Sequence, residues 1–521
     1  MAGTGSATCH DISALVRSFL RGAFDKVAGV DRVAERAVVV LAACAAALLG
    51  WRALEGPYRL GNIWVRSPLT LETVFTLLAG ALLAAACLRG RNARTALEDW
   101  PARVLLPIAL AMTALAFLPN IGDPFVSDDY ILTSRFYLTF DRVRDFAIAG
   151  GDGAFRPVGN IGYALIHTLA GARPLTWHCS ILTLHLLNCA LLFAVARTLW
   201  GNGLLPFTAA LLFGLHGSRP QAVAWTSDLF DMLACALSLA GVLLLFRAPW
   251  KRVWAQVAIV LVMLAAAILC KESAYAMPVF VFCFAAAAGR LGERAIRAFL
   301  VSSVVLCVAM FVWRWSLFHG PGGYLDPVTG RPAILSLHFV TTLKALCLRL
   351  WTILLFPLNW TSPTGVWVAA GLAAGCAAIL FVLWNSGGVR PRTVLWMIAA
   401  TLCAMAPALH LAMVDESALG SRILYIPALP FFVLAGHVVA SVASRRRAIV
   451  GLAALMFGTV VFLEHNLAFW HRTALAADQV CSDAAAGKPV QVRSAELPGI
   501  LSFGNGLKEC VEMKRQQAAG R

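Results

Sequence analysis

The chain carries little charge: only 13% of its 521 residues are Asp, Glu, Lys or Arg. A soluble domain usually carries about 25%. The shortage excludes a soluble globular enzyme, a disordered chain and a fibrous protein. Metal-site punctuation is missing as well. Fourteen cysteines are present, yet no CxxC pair and no Cys/His zinc spacing occurs. Cys44, Cys87, Cys235, Cys307 and Cys403 lie inside apolar runs, where cysteine acts as a small hydrophobe. No internal repeat is evident, and no low-complexity run beyond Ala-rich helices. The first 36 residues do not read as a secretory signal, because their apolar run begins late and lacks a suitable cleavage site.

What the chain does have is apolar sequence: 60% of it is hydrophobic, with a mean hydropathy of +0.76. A bilayer-spanning helix needs roughly 20 apolar residues. Such stretches predict an all-α polytopic membrane protein with about 13 transmembrane helices. They fall near 37–54, 68–88, 102–118, 178–198, 203–217, 221–246, 253–270, 273–289, 297–317, 366–384, 393–412, 422–442 and 448–468. The apolar stretch 336–358 contains Lys344 and Arg349 and ends at Pro357. It reads as re-entrant or interfacial. Ahead of the first span, Ile12, Leu15, Val16, Phe19, Leu20 and Phe24 repeat at helical spacing between Arg17, Arg21 and Lys26. That suits an amphipathic helix on the cytoplasmic membrane face, or a plain cytoplasmic helix.

The net charge is +16, from 43 Lys+Arg against 27 Asp+Glu. In a soluble protein that excess would point to nucleic acid; here it marks cytoplasmic loops. A cytoplasmic N-terminus puts Arg89, Arg91 and Arg94, then Arg290, Arg294 and Arg297, then Arg445, Arg446 and Arg447 on the inside. The loop 119–177 and a tail from 469 to 521 then lie outside, with a periplasmic C-terminus. Cys481 and Cys510 in that tail could pair in an oxidising compartment or remain free thiols. The organisation expected is an N-terminal segment 1–36, two additional spans in 37–100, a catalytic membrane module 101–468, and the tail.

Polar residues gather at the outer face. Asp128 and Asp129 follow the helix ending near 118. Adjacent carboxylates at a bilayer edge suit a general base with a tuning neighbour, but Ser-Asp-Asp also suits a helix cap. Arg156 lies in the same loop, and His178, His185 and Asn188 line the helix that follows. Further clusters hold His216, then Trp225, Asp228 and Asp231, then Lys271 and Glu272, then Arg422 and Tyr425. Lys271 and Arg422 suit phosphate, while Lys271 could equally pair with a carboxylate and Arg422 could snorkel. Carboxylates beside cations at a membrane surface suggest transfer chemistry on an anionic lipid.

Taken in order, these motifs resemble the GT-C integral-membrane glycosyltransferases, above all the protein O-mannosyltransferase-like group. They are Ser127-Asp128-Asp129-Tyr130, Phe155-Arg156-Pro157, Gly171 with Pro174, Leu215-His216 with Pro220, Trp225 with Ser227 and Asp231, Lys271-Glu272-Ser273, and Ser421-Arg422 with Leu424-Tyr425 and Pro427. The resemblance covers roughly 100–440. It implies a GT-C-like bundle with an extracytoplasmic catalytic loop and a sugar donor on a polyprenyl phosphate. Asp128 or Asp129 would be the general base. Lys271, Arg422 and His216 would hold the phosphate, and Tyr425 would line that site. Arg156, His185, Trp225, Asp228, Asp231 and Glu272 are candidates for the substrate cavity. Asp228-Leu229 stands where the family often has Gly-Arg, Gly217 follows Leu215-His216, and no tetratricopeptide repeats follow.

The function expected is inverting transfer of a sugar to an extracytoplasmic acceptor hydroxyl on a periplasmic glycan, lipid or protein. No required cofactor is expected, and a divalent metal has no ligand set to support it. No nucleic-acid partner is expected. The Ala- and Arg-rich composition points to a bacterial inner membrane. The alternative is a transporter or flippase for a lipid-linked substrate, which would show paired repeats and interrupted helices near mid-membrane. A membrane scaffold would leave the one-sided clustering unexplained.

Overall fold

In a computed structural model, the structure describes residues 58–60, 63–65, 102–135, 155–247, 250–320, 350–355, 389–406, 418–441, 445–489 and 506–518, with isolated positions between 343 and 377. The expected N-terminal amphipathic segment and the spans at 37–54, 68–88 and 366–384 lie outside these residues, as does most of 336–358. Two short antiparallel strands, β1 (Tyr58–Leu60) and β2 (Ile63–Val65), pair Tyr58 with Val65. Between the spans expected at 37–54 and 68–88 the sequence predicts only a connection.

The other elements among the described residues are helices. The first helices in order are α1 (Ala102–Phe117), α2 (Asp128–Arg135), α3 (Pro157–Ala170), α4 (Pro174–Trp200) and α5 (Leu204–Leu215). Next come α6 (Pro220–Ala224), α7 (Leu229–Phe246), α8 (Val253–Ile268), α9 (Met277–Ala288) and α10 (Arg294–Phe318). The last are α11 (Leu350–Leu355), α12 (Pro391–Ala404), α13 (Leu429–Ser441), α14 (Arg445–Ala485) and α15 (Leu507–Ala518). Proline opens α3, α4, α6 and α12, where its missing N–H costs nothing.

The chain is an integral membrane protein. Among the described residues, four helical stretches are long and apolar enough to cross a bilayer: Ala102–Gly122, Pro174–Trp200, Thr226–Phe246 and Arg294–Phe318. Five shorter apolar helices accompany them among the described residues, which leave the total number of spans open. α5 sits at the centre with every residue buried, packed by α1, α4 and α13. A helix apolar all round belongs in the interior. α10 lies at the rim, exposing Val301, Val304, Val305, Val308 and Val312, a face suited to acyl chains.

Two expected spans differ in form. The stretch 221–246 is broken. Pro220 starts the short α6, Trp225 is extended (φ −102°, ψ 111°), and a 3-10 turn at Thr226–Asp228 leads into α7. The break puts Asp228 and Asp231 at a helix start. The helix that carries the last expected span continues past 468. α14 runs unbroken for 41 residues. At about 1.5 Å per residue it spans about 60 Å, twice a hydrocarbon core of about 30 Å. Its far end joins α15 through a disulfide between Cys481 and Cys510.

Candidate active site

The segment between α1 and α2 makes a sharp turn. Ser127 has φ 52°, in the left-handed region that costs a non-glycine residue about 1–2 kcal/mol. The turn starts α2 with both carboxylates in its first coil. They end in different surroundings. Asp129 is fully buried. Its Oδ1 accepts from the Ser227 backbone N–H at 2.8 Å and from Ser227 Oγ at 2.7 Å, while Oδ2 accepts from the Val126 N–H at 3.1 Å. Burial pushes its carboxyl up to about 6, against the lowering effect of these donors. Asp128 is half-buried. Asp129 therefore anchors the start of α2.

Asp129 locks α2 to the turn at Thr226–Asp228. Tyr163 on α3 steadies the same turn, its Oη donating to the Thr226 carbonyl at 2.8 Å. From there acidic and basic groups continue without a gap. Asp228 is 1% exposed, and Asp231, Arg422 and Lys271 are the charges that act on it. Asp231 Oδ2 lies 2.8 Å from Lys271 Nζ, and its Oδ1 accepts from Ser273 Oγ at 3.1 Å. Next along the chain, Glu272 is held by Arg156 at 2.9 Å and Arg314 at 2.8 Å. Arg156 also lies over the Phe230 ring at 5.3 Å.

Arg422 closes the far side. Its guanidinium sits 4.2 Å above the Trp225 ring, and its backbone N–H donates to Gln221 Oε1 at 3.0 Å. The cation is thus held over an aromatic face. The ion pairs among the described residues do not include it.

Three expected site residues, His185, Tyr425 and His216, have their polar groups engaged by neighbours in the fold. His185 Nδ1 meets Tyr425 Oη at 2.7 Å and its Nε2 meets the Gly214 carbonyl at 3.1 Å. Asn188 also donates to Tyr425 Oη, at 3.2 Å. The wholly buried Arg219 lies over the Phe213 and Tyr425 rings, 5.0 Å from each. These contacts brace the interior. Both nitrogens of His216 are likewise engaged, by Ser218 Oγ at 2.7 Å and the Leu354 carbonyl at 2.9 Å.

The structure also brings in residues that were not among the expected site residues. Ser227 lay inside a quoted motif and could have been found there. Arg314 could not, because a lone arginine in an apolar helix gives no hint of its partner. Asp123 is a knot: its carboxylate takes Asn120 at 2.7 Å and His471 at 2.7 Å, and its carbonyl meets His178 at 3.1 Å. The hydrogen bond that His471 donates to Asp123 holds its imidazole above the usual histidine value. Trp470 stacks on Trp225 with centroids 6.1 Å apart. Among the described residues no group of three His, Cys, Asp or Glu is placed to hold a metal.

The relatives point the same way as the motifs. The chain is 31% identical over 126 residues to protein O-mannosyl-transferase Tmtc1 of Drosophila melanogaster. That stretch is 24% of this chain and 15% of the relative. It is 31% identical over 133 residues to Tmtc2 of the same organism, 24% and 14% of the two chains. Mouse TMTC1 matches at 33% over 91 residues, 17% of this chain and 10% of the relative. The chain therefore spans about a seventh of the length of the first two relatives. No protein-family model matches it. A crystal structure of ArnT from Cupriavidus metallidurans bound to undecaprenyl phosphate aligns at TM-score 0.40 and 14% identity, over 80% of this chain and 89% of that one. A likeness that loose carries no weight for fold or function. The resemblance to protein O-mannosyltransferases drawn from the motifs is borne out by similarity of sequence.

Proposed function

We propose that the protein is a GT-C-type membrane glycosyltransferase that moves a sugar from a polyprenyl-phosphate donor to an acceptor hydroxyl. One observation carries the reading. Motifs scattered between Ser127 and Arg422 fold together into buried carboxylates and partly buried cations, with Asp129 and Ser227 at their heart. The mannosyl-transferase names of the relatives add support.

The roles follow from the surroundings. Asp128 is the general base, because Asp129 is saturated by three donors and wholly buried. Asp128 takes the acceptor hydroxyl proton as the oxygen attacks the anomeric carbon from the side opposite the phosphate. The bond from that carbon to the phosphate oxygen breaks, and polyprenyl phosphate leaves with inverted configuration at the sugar. Arg422 meets the departing phosphate. Lys271 already faces Asp231, so its help is shared with that carboxylate. Arg156 and Glu272 shape the cavity wall. Site and tail are on the extracytoplasmic side of a bacterial inner membrane, with the N-terminus in the cytoplasm. The Cys481–Cys510 disulfide supports that orientation, since disulfides persist in oxidising compartments.

The test is donor consumption by purified protein in detergent, using a polyprenyl-phosphate mannose and a panel of hydroxyl acceptors. Asp128→Asn is expected to lower turnover by about 100-fold or more, the range for loss of a general base. Full turnover by that variant overturns the assignment. Movement of intact donor between leaflets without cleavage overturns the enzyme reading in favour of a transporter.

A further inference from the structure

The C-terminal helix α15 reaches the loop that carries the carboxylates. Gly506, just before α15, lies against the Ser127 backbone. A Cβ placed on Gly506 would stand 2.4 Å from the Ser127 carbonyl oxygen and 3.1 Å from its carbonyl carbon. No side chain fits there, and the obstacle is backbone, which has little room to give. Ser127 is also the described non-glycine residue of this loop with a positive φ. Its carbonyl accepts from the Tyr130 N–H at 3.3 Å, and the Val126 carbonyl accepts from Asp129 N–H at 3.1 Å. The close approach therefore bears on the strained turn that opens α2.

Gly506 is itself fixed. Its carbonyl accepts from the Cys510 N–H at 2.9 Å, Cys510 is bonded to Cys481 on α14, and Lys514 pairs with Asp478 at 2.5 Å. α14 in turn grips the other side of the loop through His471–Asp123 and packs Trp470 and Ala474 with Val126. The loop is held from both sides by segments more than 300 residues later in the chain.

We propose that Gly506, tethered by the Cys481–Cys510 bridge, is a positioning residue that holds the Ser127 turn in place and so fixes where Asp128 points. The effect on turnover rests on the glycosyltransferase reading; the effect on the loop does not. Gly506 acts through Ser127 and touches no reacting atom.

The experiment compares the full chain in detergent with Gly506→Ala, with the double variant Cys481→Ser/Cys510→Ser, and with Lys508→Ala on the exposed side of α15 as control. Amide hydrogen exchange is read across residues 126–133. Gly506→Ala is expected to speed exchange at Asp129 and Tyr130 about tenfold, leaving α4 and α7 protected as in the parent. The double cysteine variant is expected to show a smaller increase at the same amides. Lys508→Ala is expected to change nothing. With polyprenyl-phosphate mannose as donor, Gly506→Ala is expected to lower kcat at least about tenfold with little change in KM, as for a displaced catalytic group. Unchanged exchange across 126–133 in Gly506→Ala overturns the proposal. Faster exchange throughout the bundle also overturns it, by showing a general loss of structure. If the parent consumes no donor, the glycosyltransferase reading fails, and the exchange comparison still decides the positioning role.

Discussion

At the scale of single residues, Asp129 shows how neighbours divide the work of two identical side chains. Its carboxyl sits at about 6 because burial outweighs the donors from Ser227 and Val126. In the unfolded chain it titrates near 3.8. The stabilising form is the protonated one, present in full below about pH 4 and lost as pH rises toward 6. Asp129→Asn is neutral throughout. Thermal unfolding followed by tryptophan fluorescence is expected to show the variant gaining on the parent between pH 4 and 6, then a constant difference above. A parallel pair of curves would remove the burial account. Ser227→Ala deletes one of the two donors on Oδ1 and is expected to destabilise the fold by about 1–2 kcal/mol, read from denaturant or heat. The sequence named Asp129 but not its state, because a run of Ser-Asp-Asp-Tyr does not reveal that Ser227 waits across the fold.

At the scale of elements, α14 is the piece that changes the picture. Hydropathy marks where its apolar run ends, near 468, but not that the helix continues through Trp470, His471 and Cys481. Those residues are polar enough to read as a tail, and their partners on Asp123, Trp225 and Cys510 are remote in sequence. The His471–Asp123 contact has a testable pH signature. The imidazole is held above its ordinary value by the Asp123 hydrogen bond, so its contribution is full below about pH 6.5 and fades as pH rises through the raised value. Hydrogen exchange around 120–126 is expected to quicken as pH rises above 6.5 in the parent, and to be insensitive to pH in His471→Gln after correction for intrinsic exchange. Glu272 ties α3 to α10 through Arg156 and Arg314. Glu272→Gln leaves two partly buried cations with less compensation and is expected to cost about 2–3 kcal/mol in unfolding free energy.

At the scale of the whole molecule, the orientation is open to a direct measurement. Lys488 is exposed beyond the disulfide end of α14, and Arg247 is exposed at the opposite end of α7. In intact cells a membrane-impermeant maleimide is expected to label Lys488→Cys and to spare Arg247→Cys until the membrane is opened; the reverse pattern inverts the topology. The membrane class was legible from sequence alone, because scarce charge and runs of about 20 apolar residues leave an amphiphilic chain no other solvent than lipid. So were most helix positions and the motif residues Asp128, Asp129, Asp231, Lys271, Glu272 and Arg422. What only the tertiary structure decided is which of those residues meet. Asp129 joins Ser227, Lys271 joins Asp231, and Glu272 joins Arg156 and Arg314, while His185 and Tyr425 turn inward to each other. The physical reason is range. Hydropathy is summed over neighbours in the chain, whereas a hydrogen bond or an ion pair acts over about 3 Å of space between segments that can be hundreds of residues apart.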